Sequence, residues 1–187
     1  LGCGPADILI RFARKYPGCT CVGIDGAEAM LAPGRLAVEQ EQLGHRITLQ
    51  CRCLPCAVLS SVQKNQENQK AGQEGFQVIL SNSLLHHLHT PAILWQTIQE
   101  NIAPEGLILV MDLFRPTSTE EARHIVKTYA ADEPAILQKD FYNSLLAAFD
   151  LDEVRTQLTQ AGLALHCEKV SDRHFAVWGG NQCLTIY

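Results

Sequence analysis

The spacing of apolar positions alternates between helical and strand-like periods along most of the chain. Ile8, Leu9, Phe12 and Ala13 recur at helical spacing behind Pro5-Ala6-Asp7. That predicts a first helix with Pro5 at its first position, where the missing N–H would be unpaired anyway, and Pro17-Gly18 ends it. Cys19 to Ile24 is an apolar run closing on Asp25, the pattern of a buried strand. A second helix is expected over 27–43, with a break or kink at Pro33-Gly34, and Ile47 to Cys51 alternates as a further short strand.

Residues 63–75, QKNQENQKAGQEG, are almost free of apolar side chains and are expected to form a flexible surface insertion. Phe76 to Leu80 reads as the next strand and runs into Ser81-Asn82-Ser83. Thr90 reads as the N-cap of a helix that begins at Pro91. Gly106 to Leu113 is a long apolar strand behind the turn Pro104-Glu105-Gly106.

Two capping boxes open later helices. The first is Thr117 with Glu120, ahead of an apolar face of Ala122, Ile125, Val126 and Tyr129. The second is Asp150 with Glu153, ahead of Leu151, Val154, Leu158 and Ala161, with Gly162 as the stop. Leu163–Val170 and His174–Trp178, joined by Ser171-Asp172-Arg173, predict an antiparallel hairpin. This order argues for an α/β domain over 1–187 with a mostly parallel sheet covered on both faces and a C-terminal antiparallel hairpin. Such sheets bind ligands beyond the carboxyl ends of their strands.

Composition narrows the class. Of 187 residues, 47% are hydrophobic and 19% charged, which fits a globular domain rather than a disordered chain. Lys and Arg number 15 against 20 Asp and Glu, so the net charge is 15 − 20 = −5. No basic patch stands out, no nucleic-acid partner is expected, and no stretch is long and apolar enough to span a bilayer. The eight cysteines are scattered unlike a disulfide framework, and Cys51-x-Cys53-x-x-Cys56 lacks the paired spacing of a zinc site. The expectation is reduced thiols in a cytoplasmic protein, with no bound metal. The chain opens on Leu1-Gly2-Cys3-Gly4 in what reads as the middle of an element, so an N-terminally truncated domain is expected, its first central strand preceding Leu1.

The chemistry-bearing residues lie where strands end. Gly2-x-Gly4 before a helix lets a ligand approach the backbone, although a plain tight turn reads the same way. A dinucleotide fingerprint would want Gly or Ala at position 7. Asp7 stands there, and its carboxylate would repel a pyrophosphate. Asp25, 21 residues after Gly4, can accept both hydroxyls of a ribose or can cap a turn. A cofactor with a ribose and no polyphosphate satisfies both residues, and S-adenosylmethionine is such a molecule.

Leu1-Gly2-Cys3-Gly4-Pro5-Ala6-Asp7, Val22-Gly23-Ile24-Asp25 with Met30-Leu31, and Ser81-Asn82-Ser83-Leu84-Leu85-His86-His87-Leu88, taken in order, resemble the class I S-adenosylmethionine-dependent methyltransferases. The likeness is greatest to the branch that methylates quinones and other small molecules. It implies a Rossmann-like, doubly wound, seven-stranded sheet with an antiparallel last strand. It also implies methyl transfer from S-adenosyl-L-methionine to O, N or C of a small-molecule acceptor.

Carried over by position, Gly2, Cys3 and Gly4 would pass the methionine part, Asp25 would hold the ribose, and Met30 would pack on the adenine. Gly26, Cys53 and Leu54 complete that cofactor-binding set, and Asn82 would lie beneath the methionine near the sulfonium. Ala27 replaces a frequent serine, and Cys51-Arg52-Cys53 stands where the family usually has an acid near the adenine amino group. The altered adenine loop and the Gln-rich insertion motivate an alternative, a catalytically silent module that binds a partner. A base-methylating enzyme would want an Asn/Asp-Pro-Pro-aromatic motif, and Asn82-Ser83-Leu84-Leu85 is not one.

His86, His87 and His89 follow the strand Phe76 to Leu80, where they can shape the loop or accept a proton from the acceptor, and a metal reading lacks a partner carboxylate at ligand spacing. Asp112 and Arg115 are expected on the rim where a substrate enters, or paired as a turn salt bridge. Tyr142, in Lys139-Asp140-Phe141-Tyr142-Asn143, is a further acceptor-side candidate, the alternative being a surface helix that buries Phe141.

Overall fold

The computed structural model describes residues 1–56 and 75–181. The insertion expected at 63–75 lies outside them, apart from Gly75. The chain divides into two compact units, Leu1–Cys56 and Ala57–Tyr187.

The first unit is α1 (Asp7–Lys15), β1 (Cys21–Asp25), α2 (Glu28–Gln40) and β2 (Ile47–Cys51). β1 and β2 pair in parallel, Cys21 opposite Ile47 and Asp25 opposite Cys51, so both strands end at one edge. The core joins Ala6, Ile10 and Ala13 to Val38, Leu43 and Ile47. Two expectations change here. Ala6 adopts a left-handed backbone with its N–H bonded to the Cys3 carbonyl, so the helix starts at Asp7 and Pro5 is not its first residue. The inward face is therefore Ala6, Ile10 and Ala13 with Leu9 partly covered, while Ile8 is exposed. The second change is that α2 runs on through Pro33-Gly34. A Cβ at Gly34 would stand 3.1 Å from the Pro5 carbonyl carbon, tight enough that the backbone of the glycine loop would have to shift by a few tenths of an ångström. The pair marks where the helix descends onto the glycine loop, and the bare residue permits that contact.

The second unit contains β3 (Phe76–Asn82), a 3-10 turn (Leu85–His87), α3 (Ala92–Asn101), β4 (Ile102–Leu113), α4 (Thr119–Tyr129), α5 (Ala135–Ala147), α6 (Leu151–Gln160), β5 (His166–Lys169) and β6 (His174–Gly180). Its sheet runs β3-β4-β6-β5. β3 and β4 are parallel, while β6 is antiparallel to both neighbours, so the predicted terminal hairpin is present. Among the described strands two pairings are parallel, and the two antiparallel ones both involve β6, which gives the expected α/β architecture its mixed pairing. The expected turn at 104–106 sits inside β4 as an irregularity, since Phe76 faces Ile102 but Val78 already faces Leu107.

Helix ends follow side-chain chemistry with one shift of position. Asp150 and Glu153 form the expected reciprocal capping box of α6. At α4 the cap is Ser118, whose Oγ accepts the Glu121 N–H at 3.1 Å, while Thr117 donates to the Glu121 carboxylate. α3 starts at Ala92 with Pro91 in the cap position and no side-chain cap, so Thr90 does not play that role. The buried Trp95 of α3 donates its indole N–H to Gln157 of α6 at 3.0 Å.

Residues 116–148, carrying α4 and α5, leave and rejoin the sheet at one point. There Phe114 bridges to Phe149, Arg115 N–H bonds to the Phe149 carbonyl, and the Arg115 guanidinium reaches Asp150 and Glu153 at 2.9 and 2.7 Å. Leu113, Ala122, Ile125, Val126, Leu145 and Ala148 close the core beneath the excursion. Among the described residues no helix is long and apolar enough to cross a membrane.

The cap assignment is testable. Ser118→Ala should lower stability by about 1 kcal/mol in urea unfolding, the usual worth of an N-cap. Thr117→Ala should cost clearly less.

Candidate active site

At the carboxyl end of β1, one carboxylate organises the first unit's loops. Asp25 accepts the Gly4 N–H on Oδ2 at 2.8 Å and the Ala27 N–H on Oδ1 at 2.9 Å. The acid therefore caps its own turn, as a turn aspartate does, and also clasps the glycine loop across 21 residues. Gly2 and Gly4 have φ of 64° and 49°, which L side chains rarely adopt, so the loop needs glycine there. Between them Cys3 donates its N–H to the Ile24 carbonyl at 3.0 Å, extending the hydrogen bonding of β1. Its thiol points toward Gly23, where an added Cβ would meet it at 2.8 Å. Burial pushes that thiol up to about 11, so it stays protonated and serves as packing.

The predicted cofactor residues of this unit converge. The Met30 Cε lies 3.6 Å from where a Gly4 side chain would begin, and Met30 is 46% exposed. Cys53 Sγ comes within 3.5 Å of the same point on Gly26, and Arg52 N–H bonds to the Asp25 carbonyl. Cys51-Arg52-Cys53 thus lies beside the turn after Asp25, with half-buried Leu54 following it. The result is a shallow cradle of bare backbone with a carboxylate at its centre and a thioether and a thiol at its sides.

The second unit holds a separate group at the ends of β3 and β4. Asn82, the last residue of β3, donates Nδ2–H to Ser83 Oγ at 3.2 Å, while its Oδ1 is buried with no partner among the described residues. Ser83 is held in the left-handed region at φ 54° by an N–H bond to the Met111 carbonyl. Asn82 thus leaves a buried acceptor open beside a residue in the left-handed region.

Beyond it, Asp112 is 1% exposed and accepts three N–H groups. Leu85 N donates to Oδ2 at 2.6 Å, Leu113 N to Oδ1 at 2.7 Å, and His86 Nδ1 to Oδ1 at 2.5 Å. Since a carboxylate can only accept, the His86 proton sits on Nδ1. This corrects the sequence expectation for two residues. Asp112 is not on an open rim and does not pair with Arg115, which instead joins β4 to the start of α6. His86, whose side chain is 4% exposed, is a buried partner of Asp112.

His87 is the exposed member of the pair, its ring 3.9 Å from that of His86 and tilted by 40°. Burial of its inner part, with His86 alongside, lowers its pKa from the ordinary value, and Asp112 opposes this weakly. Tyr142 packs on the core below α4 and lines an open cleft of about 510 Å³ with Arg123, Lys127, Gln138 and Lys139. It belongs to a helix that half-buries Phe141, as the alternative reading expected. The Asp112–His86 contact, 26 residues apart, is the feature that sequence reasoning missed. Its only signal was an acid at a strand end facing a histidine after the neighbouring parallel strand.

Residues 1–168 match a family model described as a methyltransferase domain. The chain belongs to that family. Trans-aconitate 2-methyltransferase of Delftia acidovorans is 26% identical over 134 residues, covering 72% of this chain and 43% of its own length, so the chain matches less than half of that curated relative. A SAM-dependent methyltransferase from Aquifex aeolicus shares the fold at a TM-score of 0.67 and 15% identity, over 96% of this chain and 78% of that one. The plantazolicin methyltransferase BpumL, solved with a pentazolic substrate analogue and SAH, does so at 0.67 and 14%, over 96% and 74%.

Two outcomes follow for the second unit. Asp112→Ala leaves three buried donors unpaired and should cost roughly 3 kcal/mol in urea unfolding. His87 and His174 both have lowered pKa values, chiefly from burial. The unfolded chain therefore binds more protons between the folded and unfolded values, so stability is full above the unfolded pKa and falls as pH drops below about 6.5. Thermal unfolding followed from pH 8 to 5 should show this decline, and His174→Gln should flatten it.

Proposed function

We propose that this chain is a methyl-transfer domain that takes S-adenosyl-L-methionine as donor and a small molecule as acceptor. The observation that carries the reading is the clasp of Asp25 on the glycine loop. The fit to the donor is specific. Each Asp25 oxygen has one lone pair engaged by a backbone N–H and a second to offer, so the carboxylate can still accept ribose hydroxyls from its present position. Gly2, Cys3 and Gly4 offer side-chain-free backbone for an amino-acid chain, while Met30, Gly26, Cys53 and Leu54 supply the surface for a flat base. Asn82 has an open acceptor suited to an ammonium or amide donor of the methionine part. S-adenosyl-L-methionine, when bound, supplies a methyl group on an electrophilic sulfonium.

The work left to the protein is alignment and exclusion of water. His86, His87, Asp112, Arg115 and Tyr142 lie in the unit that carries α4 and α5, and we assign the acceptor to that side. A small acceptor accords with the relatives, which are named for trans-aconitate and plantazolicin. The seven described cysteines are all free thiols, which supports a reducing, cytoplasmic setting.

Calorimetry with S-adenosylhomocysteine tests the donor assignment. The protein should bind it, and Asp25→Ala should weaken binding by about 1–3 kcal/mol, the worth of a charge-assisted hydrogen-bond pair. Equal affinity in the variant would remove the ribose assignment.

A further inference from the structure

The helical segment between Phe114 and Phe149 gathers charge whose sign opposes that of the whole chain. The net charge is −5, yet Arg123 and Lys127 of α4 and Lys139 of α5 all line the open cleft of about 510 Å³ beside these helices. No carboxylate lines it. Arg123 has one exposed partner, Glu120 at 3.4 Å, while Lys127 and Lys139 have no ion pair among the described residues.

Ordinary helix chemistry does not account for this grouping. Lys127 sits in the last turn of α4, where a cation suits the carboxyl end of a helix. Arg123, one turn earlier at i,i+4 spacing, repels it. Lys139 lies past the first turn of α5, where the helix dipole offers a cation no support. Like charges lining one space raise each other's energy until something of opposite sign enters.

The rest of the lining sets what fits. The Arg123 guanidinium lies over the Tyr142 ring, 5.9 Å from its centroid, and Tyr142 is itself packed against the core cluster, so this wall is fixed. Gln138 donates its amide N–H groups to the Ala131 and Glu133 carbonyls at 3.2 and 2.9 Å, which holds the turn between the helices. Val126 and Ala131 add a short apolar stretch.

We propose that this cleft binds a small organic dianion, with Arg123, Lys127 and Lys139 as its charge partners and the Tyr142 ring against its carbon body. Dicarboxylates and phosphate monoesters share that chemistry, and the planar Arg123 fork suits either group. The exposed acids Asp132, Glu133 and Asp140 flank the lining residues along the chain, so the positive charge is confined to the cleft. That favours a small anion over a nucleic-acid backbone, which needs an extended basic track. The site lies within one unit and needs no methyl donor, so it stands apart from the methyl-transfer reading.

Calorimetry at low salt with isophthalate, glycerol 3-phosphate and the monoanion benzoate tests the site. At least one dianion should bind, the tighter of the two identifying carboxylate or phosphate as the preferred group, and benzoate should bind about tenfold more weakly or worse. Arg123→Gln and Lys139→Gln should each weaken the dianion about tenfold. Lys15→Gln, the same change of charge on the exposed face of α1, should leave it unaltered. Acetic anhydride labelling read by mass spectrometry locates the site in the unaltered protein, where the bound dianion should protect Lys127 and Lys139 but not Lys15. The proposal is overturned if neither dianion binds, if protection or the effect of substitution is the same at Lys15, or if an RNA oligonucleotide binds through these residues while the small dianions do not.

Discussion

The structure depends on a carboxylate at the end of a parallel strand that gathers the amides of a neighbouring loop. Parallel strands finish together at one edge, and the loops leaving that edge bring N–H groups with no ladder partner. Asp25 at the end of β1 takes up Gly4 and Ala27. Asp112 near the end of β4 takes up Leu85, Leu113 and His86. In each unit the acid converts an irregular segment into a fixed one.

The two acids differ in what they leave over. Asp25 is half-buried, and each of its oxygens accepts one backbone N–H. Asp112 is enclosed and accepts three N–H groups. Depth of burial rather than residue type separates the two.

The sequence carried the first arrangement almost completely. Glycines before a helix, an apolar run and a terminal acid are all local features, and their spacing alone put Gly4 and Asp25 at one site. The second arrangement was not legible because proximity along the chain favoured Arg115 as the partner of Asp112, whereas pairing of β3 with β4 delivers His86. Pro33-Gly34 misled for a related reason: its meaning lies in the nearness of Pro5, which no local pattern encodes. The cap at 118 rather than 117 was missed by one residue, since both side chains can make the bond and only the extended backbone at Ser118 selects between them. The mixed pairing follows from the correctly read hairpin, whose second strand, β6, is antiparallel both to β5 and to β4.

The pinned ends of residues 116–148 have a consequence for how such a domain diversifies. Because Phe114 meets Phe149 and one arginine locks the exit of β4 to the entry of α6, the helical segment between them behaves as a closed excursion. Its length and lining can change at a loop-closure cost that grows only with the logarithm of its size, while the strands beneath keep their register. A cassette about thirty residues long can therefore be rewritten as one piece.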